Sequence, residues 1–144
     1  MNNKYFRIMA IDYGDKRIGI AFTDVTHTIC SPYQTYTRVS FAKDMEYLTN
    51  LINEKNAKII VFGLPLNMDG SSGPRVERTH EFANALKKRV DAQFEFVDER
   101  MSSVYAEEFL LEMDVSRAKR KEVIDKMAAQ IILKTYMDTQ YKGE

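Results

Sequence analysis

The chain has 144 residues, 44% of them hydrophobic, and its 21 basic side chains balance 21 acidic ones. This length favours a single domain over residues 1–144, and the composition is that of a folded protein rather than a disordered one. The only cysteine, Cys30, excludes a disulfide framework and a multi-cysteine zinc site. No apolar run approaches the roughly 20 residues that span a bilayer, and the start lacks the pattern of a signal peptide, so we expect a cytoplasmic protein without a membrane partner.

The first half of the chain predicts an antiparallel hairpin, a third strand and a helix. Two runs rich in β-forming residues, 6–12 and 17–24, are separated by a short turn that contains glycine. A weaker extended segment is expected around 33–38. A helix is expected from Phe41 to Lys55, because its apolar residues recur at helical spacing and Ser40 can cap its first turn.

The second half predicts two further strands, each followed by helical segments. The run Lys58-Ile-Ile-Val-Phe62 is typical of a strand buried on both faces of a sheet. The basic run Arg117-Ala-Lys-Arg-Lys121 is expected to separate the last two helices. A helix is expected from Pro74 to about Val90, followed by a strand over 93–97. The next predicted helix is capped by Ser102 or Ser103 and carries one apolar stripe, formed by Ala106, Phe109, Leu110 and Met113. The last helix is expected from about Lys121 to Thr139. The order βββαβαβαα indicates an α/β protein with a hairpin-led, five-stranded sheet.

Acidic residues stand out at three places in these predicted elements. Asp12 closes the first apolar strand, where a carboxylate is poorly favoured, although Asp is also common in hairpin turns. Asp98 and Glu99 close the fifth strand, where ligands of such sheets gather, although a solvated strand end neutralised by Arg100 would look the same. Asp125 lies on or beside the apolar face of the last helix, where a carboxylate is costly unless it is paired or bound to a cation.

Carboxylates from two strand ends and one helix could converge on a hard divalent cation such as Mg²⁺, which also binds phosphate oxygens. Two such ions would stabilise the attacking and leaving oxygens in phosphodiester cleavage. The isolated histidines His27 and His80 offer no nucleophile–base pair, and we expect both on the surface.

The turn-rich segment 63–74 leads directly into a helix, so its backbone N–H groups could hold a phosphate. Within it, Leu64–Gly73 has few apolar anchors, which predicts a mobile flap that becomes ordered over nucleic acid. If the chain binds nucleic acid despite its zero net charge, its basic side chains must lie on the face that bears the acids. The candidates are Lys16, Arg17, Arg75, Arg78, Arg117, Lys119 and Lys121.

Four segments spread over nearly the whole chain form a specific ordered set. They run from Ile11 to Ala21, from Val61 to Ser71 with Gly73-Pro-Arg75, from Val97 to Arg100, and from Ile124 to Ala129. In this set the chain resembles the YqgF/RuvX family, the pre-16S rRNA nucleases that are also described as Holliday junction resolvase homologues. The resemblance implies a ribonuclease H-like fold, a mixed five-stranded sheet flanked by helices. It also implies that Asp12, Glu99 and Asp125 are the catalytic, metal-binding acids.

One feature departs from the better-understood RuvC-type resolvases, in which an essential acid closes the fourth strand. Here that strand ends Val61-Phe-Gly63, and no carboxylate follows until Asp69. The family takes its acid instead from the Asp98-Glu-Arg100 motif on the next strand.

The resemblance implies an Mg²⁺- or Mn²⁺-dependent endonuclease that hydrolyses phosphodiester bonds in structured nucleic acid. The implied substrate is precursor 16S rRNA at its 5′ end, in ribosome biogenesis, with branched DNA as the alternative. Lys16 and Arg17 would steady the substrate backbone.

Two other classes of protein are weighed against this nuclease. A non-catalytic nucleic-acid-binding module of the same fold is favoured by the near-zero charge and the missing fourth-strand acid, and disfavoured by retention of the other acids. An actin-like phosphotransferase needs two related domains and ranks last.

The two possible substrates predict different oligomeric states. A monomer suffices for trimming RNA, whereas symmetric cutting of two strands would favour a homodimer, if only a weak one.

Overall fold

The structure is a computed structural model that describes residues 5–100 and 116–143. Within the last helix, the side chains of residues 117, 118 and 120–126 lie outside this description, as does the helix predicted to follow Ser102 or Ser103. The described elements are β1 (Arg7–Tyr13), β2 (Arg17–Thr23), β3 (Cys30–Thr37), α1 (Phe41–Lys55), β4 (Ala57–Leu64), α2 (Pro74–Lys87), β5 (Gln93–Asp98) and α3 (Arg117–Thr139). None of the described helices is both long and apolar enough to cross a membrane.

The five strands form one mixed sheet in the order β3-β2-β1-β4-β5. β1, β2 and β3 pair in antiparallel fashion, while β4 pairs in parallel with β1 and β5 with β4. Parallel neighbours need long crossover connections, and α1 joins β3 to β4 while α2 joins β4 to β5. The predicted α/β sheet of five strands is confirmed, and the carboxyl ends of β1, β4 and β5 lie at one edge.

The two faces of the sheet carry separate hydrophobic clusters. Large side chains of β1, including Met9 and Ile11, pack with residues of α1 and α2 such as Leu48 and Leu86. On the opposite face, smaller residues such as Ala10 pack against α3. Because side chains alternate along a strand, Asp12 belongs to the face of Ala10 and therefore to the α3 side.

The helix α1 has the predicted bounds, and its predicted cap is confirmed. The Ser40 hydroxyl accepts a hydrogen bond from the Lys43 N–H at 3.2 Å, and Asn56 ends the helix in a left-handed conformation. The helix α2 begins at Pro74 as predicted but ends at Lys87, before Val90.

Two predicted boundaries were wrong. The run from Arg117 to Lys121 does not break the helical structure, because α3 begins at Arg117 and the Ser116 hydroxyl caps it by accepting from the Lys119 N–H. Arginine and lysine are good helix formers, so their charge alone does not end a helix. The strand β3 begins at Cys30 rather than near residue 33, because its pairing with β2 extends past Pro32.

The expectation that both histidines lie on the surface was also wrong. The His27 ring is half-buried, with Nε2 donating to the Phe6 carbonyl at 2.8 Å and Nδ1 accepting from the Tyr141 hydroxyl at 3.1 Å. The half-buried His80 ring packs on Phe96, with 4.7 Å between ring centroids. Both therefore have structural contacts that a sequence position does not reveal.

Candidate functional site

Asp12 lies near the end of β1, opposite Gly19 of β2. A Cβ atom placed on Gly19 would lie 3.5 Å from the Asp12 Cβ and 3.6 Å from the Ala129 Cβ of α3. The absence of a side chain at Gly19 and the small one at Ala129 let helix and sheet approach closely here. The Asp12 carboxylate consequently lies at the contact between the sheet edge and α3.

The backbone of Asp125 lies in α3, one turn before Ala129. Residues four apart share a helix face, so this position is on the face that meets Gly19 and Asp12 at Ala129. The Asp125 side chain is outside the described residues.

Glu99 follows β5 directly and extends over Gly63, a buried residue of β4. A Cβ atom on Gly63 would lie 2.8 Å from the Glu99 Cγ and 2.6 Å from the Ile132 Cδ1, closer than real contacts allow. Glycine is therefore required at residue 63 for Glu99 and Ile132 to occupy their positions. An acid from the neighbouring strand fills the space above the end of β4, where the chain has no carboxylate of its own.

The electrostatic environment of Glu99 connects it to Asp12. Burial raises the pKa of Glu99 to about 7, the negative charges of Asp12 and Asp98 act in the same direction, and Arg75 opposes them. Two carboxylates in a poorly hydrated region disfavour each other's ionised forms, and a cation between them would reverse that effect. Carboxylate oxygens are also the ligands that Mg²⁺ prefers, so these residues fit a hard divalent ion.

Among the described side chains, no three acids, histidines or cysteines form a metal-binding group. Asp12 and Glu99 are thus two of the three sequence-predicted ligands that the structure brings into one region. The third, Asp125, is placed by its backbone alone.

Asp98 pairs with Arg100, in contrast to its neighbour Glu99. The Arg100 Nη2 donates to the Asp98 Oδ2 at 2.6 Å, and this hydrogen bonding lowers the pKa of Asp98. A carboxylate held by a guanidinium in this way has little capacity left for a metal ion. The structure therefore gives the two acids of the motif different surroundings.

The same arginine also forms a hydrogen bond with the segment 64–73. The Arg100 Nη1 donates to the Met68 carbonyl at 3.1 Å. Within the segment, the Asn67 N–H donates to the Ser71 carbonyl at 3.0 Å and Gly70 adopts a left-handed φ of 88°. This loop has few apolar residues to hold it, but these hydrogen bonds connect it internally and to Arg100.

Most of the described basic candidates lie at the edge of the sheet that bears the acids. Lys16 and Arg17 are exposed at the β1–β2 turn, and the exposed Arg78 approaches Asp15 of that turn at 3.7 Å. Arg75 is close enough to Glu99 to affect its pKa. Lys119 is exposed in the first turn of α3, and the side chains of Arg117 and Lys121 are outside the described residues.

Sequence reasoning missed the buried pair Arg38 and Asp44. The Asp44 carboxylate is fully buried and accepts from the Arg38 Nε at 2.8 Å, while the Arg38 Nη1 donates to the Tyr13 hydroxyl at 2.9 Å and the Gly14 carbonyl at 3.2 Å. These bonds hold the chain just beyond Asp12. The one available signal was an acid within the apolar stripe of α1.

Comparison with known proteins identifies relatives over almost the whole chain. The RuvX family model, described as Holliday junction resolvase, matches residues 6–139. A protein of Halothermothrix orenii named "Putative pre-16S rRNA nuclease" is 46% identical over 136 residues, which cover 94% of this chain and 97% of the relative. A protein of Syntrophomonas wolfei with the same name is 48% identical over 132 residues, covering 92% and 94%.

Among solved structures, the fold is similar to the Fowlpox virus resolvase in complex with Holliday junction DNA. The TM-score is 0.52 at 10% sequence identity, with 95% of this chain and 100% of the other covered. At this identity the likeness concerns the fold alone, which is ribonuclease H-like, as the family resemblance implied. Because the family model and the relatives cover nearly the full length, the chain belongs to the RuvX family.

Proposed function

We propose that this protein is a metal-dependent nuclease that hydrolyses phosphodiester bonds in structured nucleic acid. Its proposed substrate is precursor 16S rRNA, cleaved at the 5′ end during ribosome biogenesis in the cytoplasm. The names of the relatives support the substrate, and the family description supports the nuclease class.

The observation that carries the proposal is the burial of Glu99 above Gly63, within electrostatic reach of Asp12. Without a cation, the arrangement disfavours two ionised carboxylates, and no buried basic partner of Glu99 is seen among the described residues. Acids whose pKa is strongly raised by burial and by a neighbouring carboxylate are more frequent at catalytic and metal-binding sites than elsewhere in proteins.

In this proposal Asp12, Glu99 and Asp125 would hold Mg²⁺ or Mn²⁺. When bound, such an ion neutralises charge on the phosphate and lowers the pKa of a coordinated water. Arg75, at the start of α2, would contact a phosphate oxygen beside Glu99. The other basic candidates, Lys16, Arg17, Arg78, Arg117, Lys119 and Lys121, would contact the nucleic-acid backbone on either side.

The test is a cleavage assay on precursor 16S rRNA and on a four-way DNA junction, each with Mg²⁺, with Mn²⁺ and with EDTA. Asp12→Asn and Glu99→Gln should each lower the cleavage rate at least a hundredfold, because each removes a negatively charged ligand of the metal ion that would neutralise the reacting phosphate. Asp91→Asn changes an exposed acid outside the site and serves as the control.

Three outcomes would change the proposal. Cleavage of the junction but not of the RNA would assign the protein to branched DNA. Binding of either substrate without cleavage under any metal condition would favour a non-catalytic nucleic-acid-binding module. Full activity of both Asp12→Asn and Glu99→Gln would show that these two carboxylates take no part in cleavage.

A further inference from the structure

An open cavity of about 510 Å³ lies at the β1–β2 turn, apart from the carboxylates. The turn forms one wall, and the end of β3 and the first residues of α1 form the other. Its volume is within the range of about 300–1,000 Å³ that small-molecule sites occupy. No residue that lines it is one of the candidate metal ligands.

The floor of this cavity is fixed by buried hydrogen bonds. The Asp44 carboxylate accepts from the Tyr36 hydroxyl at 2.9 Å and from the Val39 N–H at 3.0 Å, in addition to the Arg38 guanidinium. The Arg38 N–H donates to the Lys16 carbonyl at 3.0 Å, which joins the turn to the end of β3. A cavity held in this way is formed before a ligand arrives, so binding orders little of the protein.

The cavity is lined by three basic residues, Lys16, Arg17 and Arg38, and by two acidic ones, Asp15 and Asp44, so its lining carries a net charge of +1. Arg38 is neutralised by Asp44, and Asp15 lies near Arg78. Lys16 and Arg17 are exposed, and neither forms an ion pair within the described part of the chain. Two unpaired cations above a rigid polar floor favour an anionic ligand with hydrogen-bonding groups, and a phosphate ester meets both conditions.

The cavity is also aligned with the carboxylates. Gly19 pairs with Asp12, and the cavity residue Arg17 lies two residues before Gly19 on β2. Arg17 and Gly19 are therefore about 7 Å apart along this strand. A nucleic-acid strand spans such a separation within about two nucleotides.

We propose that this cavity is a second binding site of the protein, for a phosphate and its sugar in the nucleic-acid strand that extends from the carboxylates. The proposal rests on the proposed function for the presence of that strand. The cavity would hold the strand within about two nucleotides of the cleaved bond, on the β3 side of the sheet, and so would fix its direction across the edge.

The test uses Val39→Glu, which places a negative charge at the cavity. Val39 is 68% exposed, and only its backbone N–H takes part in the buried network, so the fold should be retained. Ile29→Glu is the matched control, because Ile29 is 61% exposed and lies just before the start of β3, at the opposite end of that strand. Thermal unfolding of both variants verifies that each is folded.

Binding of a fluorescently labelled RNA oligonucleotide is measured in EDTA by anisotropy, over a range of salt concentrations. Val39→Glu should weaken binding about fivefold at low salt and reduce the slope of log affinity against log salt by roughly one phosphate contact, about 0.7 on a single strand. Ile29→Glu should leave both quantities unchanged. Equal effects of the two variants, or none from either, would overturn the proposal.

Adenosine monophosphate as a competitor distinguishes a strand from a free nucleotide. For the strand proposed here, it should compete only at concentrations at least a hundredfold above those of the oligonucleotide, since it fills one of several contacts. Competition at equal concentration would overturn the proposal in favour of a free-nucleotide site. Because binding is measured without metal, a wild type that fails to cleave would refute the proposed nuclease and leave the result at Val39 intact.

Discussion

The Glu99 side chain is half-buried near Asp12, and its protonation is coupled to folding. Its pKa is about 7 in the folded protein against 4.5 for the unperturbed group, so between these values the folded state binds more protons than the unfolded state. The free energy of unfolding should therefore fall as pH rises from about 4.5 to about 7 and level off above that.

The variant Glu99→Gln should remove this dependence. It should stabilise the metal-free protein at pH 8 by up to about 3 kcal/mol and have little effect near pH 4.5, because one pKa unit corresponds to about 1.4 kcal/mol. Urea unfolding in EDTA at both pH values measures the difference. Glu81→Gln, at an exposed position of α2, is the control, and an identical pH dependence in both variants would contradict the prediction.

Gly63 determines whether Glu99 can occupy its position. Gly63→Ala should cost about 1–3 kcal/mol of stability, because the added methyl group overlaps the Glu99 Cγ and the Ile132 Cδ1. It should also slow cleavage by about tenfold to a hundredfold, since displacing a reacting group by about 1 Å has effects of that size.

A second substitution separates these two effects of Gly63→Ala. Adding Ile132→Val removes the Cδ1 atom, so it should recover part of the stability while cleavage stays low. Unfolding and single-turnover cleavage are measured on the same preparations. Recovery of cleavage together with stability would show that the glycine serves packing alone.

The sequence could indicate Asp12 and Glu99 because each closes a strand and matches the family motifs. It could not indicate why residue 63 is glycine. That requirement comes from two side chains 36 and 69 residues further along the chain, and it appears only when all three meet. The Arg38–Asp44 pair was missed for a related reason, since its bonds cross a junction between strand and helix that no periodicity describes.

At the scale of elements, the loop 64–73 depends on Arg100. Arg100→Lys keeps the charge but loses the planar fork that binds Asp98 and the Met68 carbonyl together. Amide hydrogen exchange at Asn67 and Gly70 should become about tenfold faster, as expected for loss of hydrogen bonding worth about 1.4 kcal/mol.

The matched control for this loop prediction is Arg89→Lys. Arg89 is exposed at the end of α2 and donates to the Ala85 carbonyl at 2.8 Å, so it also joins a guanidinium to a backbone oxygen. This variant should leave the exchange at Asn67 and Gly70 unchanged. Unaltered exchange in Arg100→Lys would mean that the loop is ordered by its internal bonds alone.

Local signals predicted most of the elements well. The helix α1 has a capping serine and a regular apolar stripe, and both of its ends were correct. The start of α3 was wrong because a run of positive charge was taken as a break, although a serine cap precedes it. β3 is largely exposed, so burial leaves no alternation in its sequence, and its bounds are set by pairing with β2.

At the scale of the whole molecule, zero net charge is compatible with a basic face at the edge that bears the acids. If nucleic acid binds at the edge that bears the acids, affinity should fall steeply with salt. Arg75→Ala should lower affinity for all sequences and reduce the salt slope by about one unit on duplex DNA. Lys87→Ala, in the last turn of the same helix, is the control and should leave the slope unchanged. A salt-independent affinity in the wild type would remove the electrostatic basis of binding.

The close approach of α3 to the sheet has a consequence for how this sequence can evolve. Around Asp12 the contact between the two surfaces includes the small residues Ala10, Gly19, Ala21 and Ala129. A methyl group at Gly19 would still fit, since it would lie 3.5 Å from the Asp12 Cβ and 3.6 Å from the Ala129 Cβ, but a side chain larger than alanine at these positions would push α3 away from the sheet. Side-chain volume at these small residues therefore limits which substitutions the site can accept, in addition to the charge of the acids.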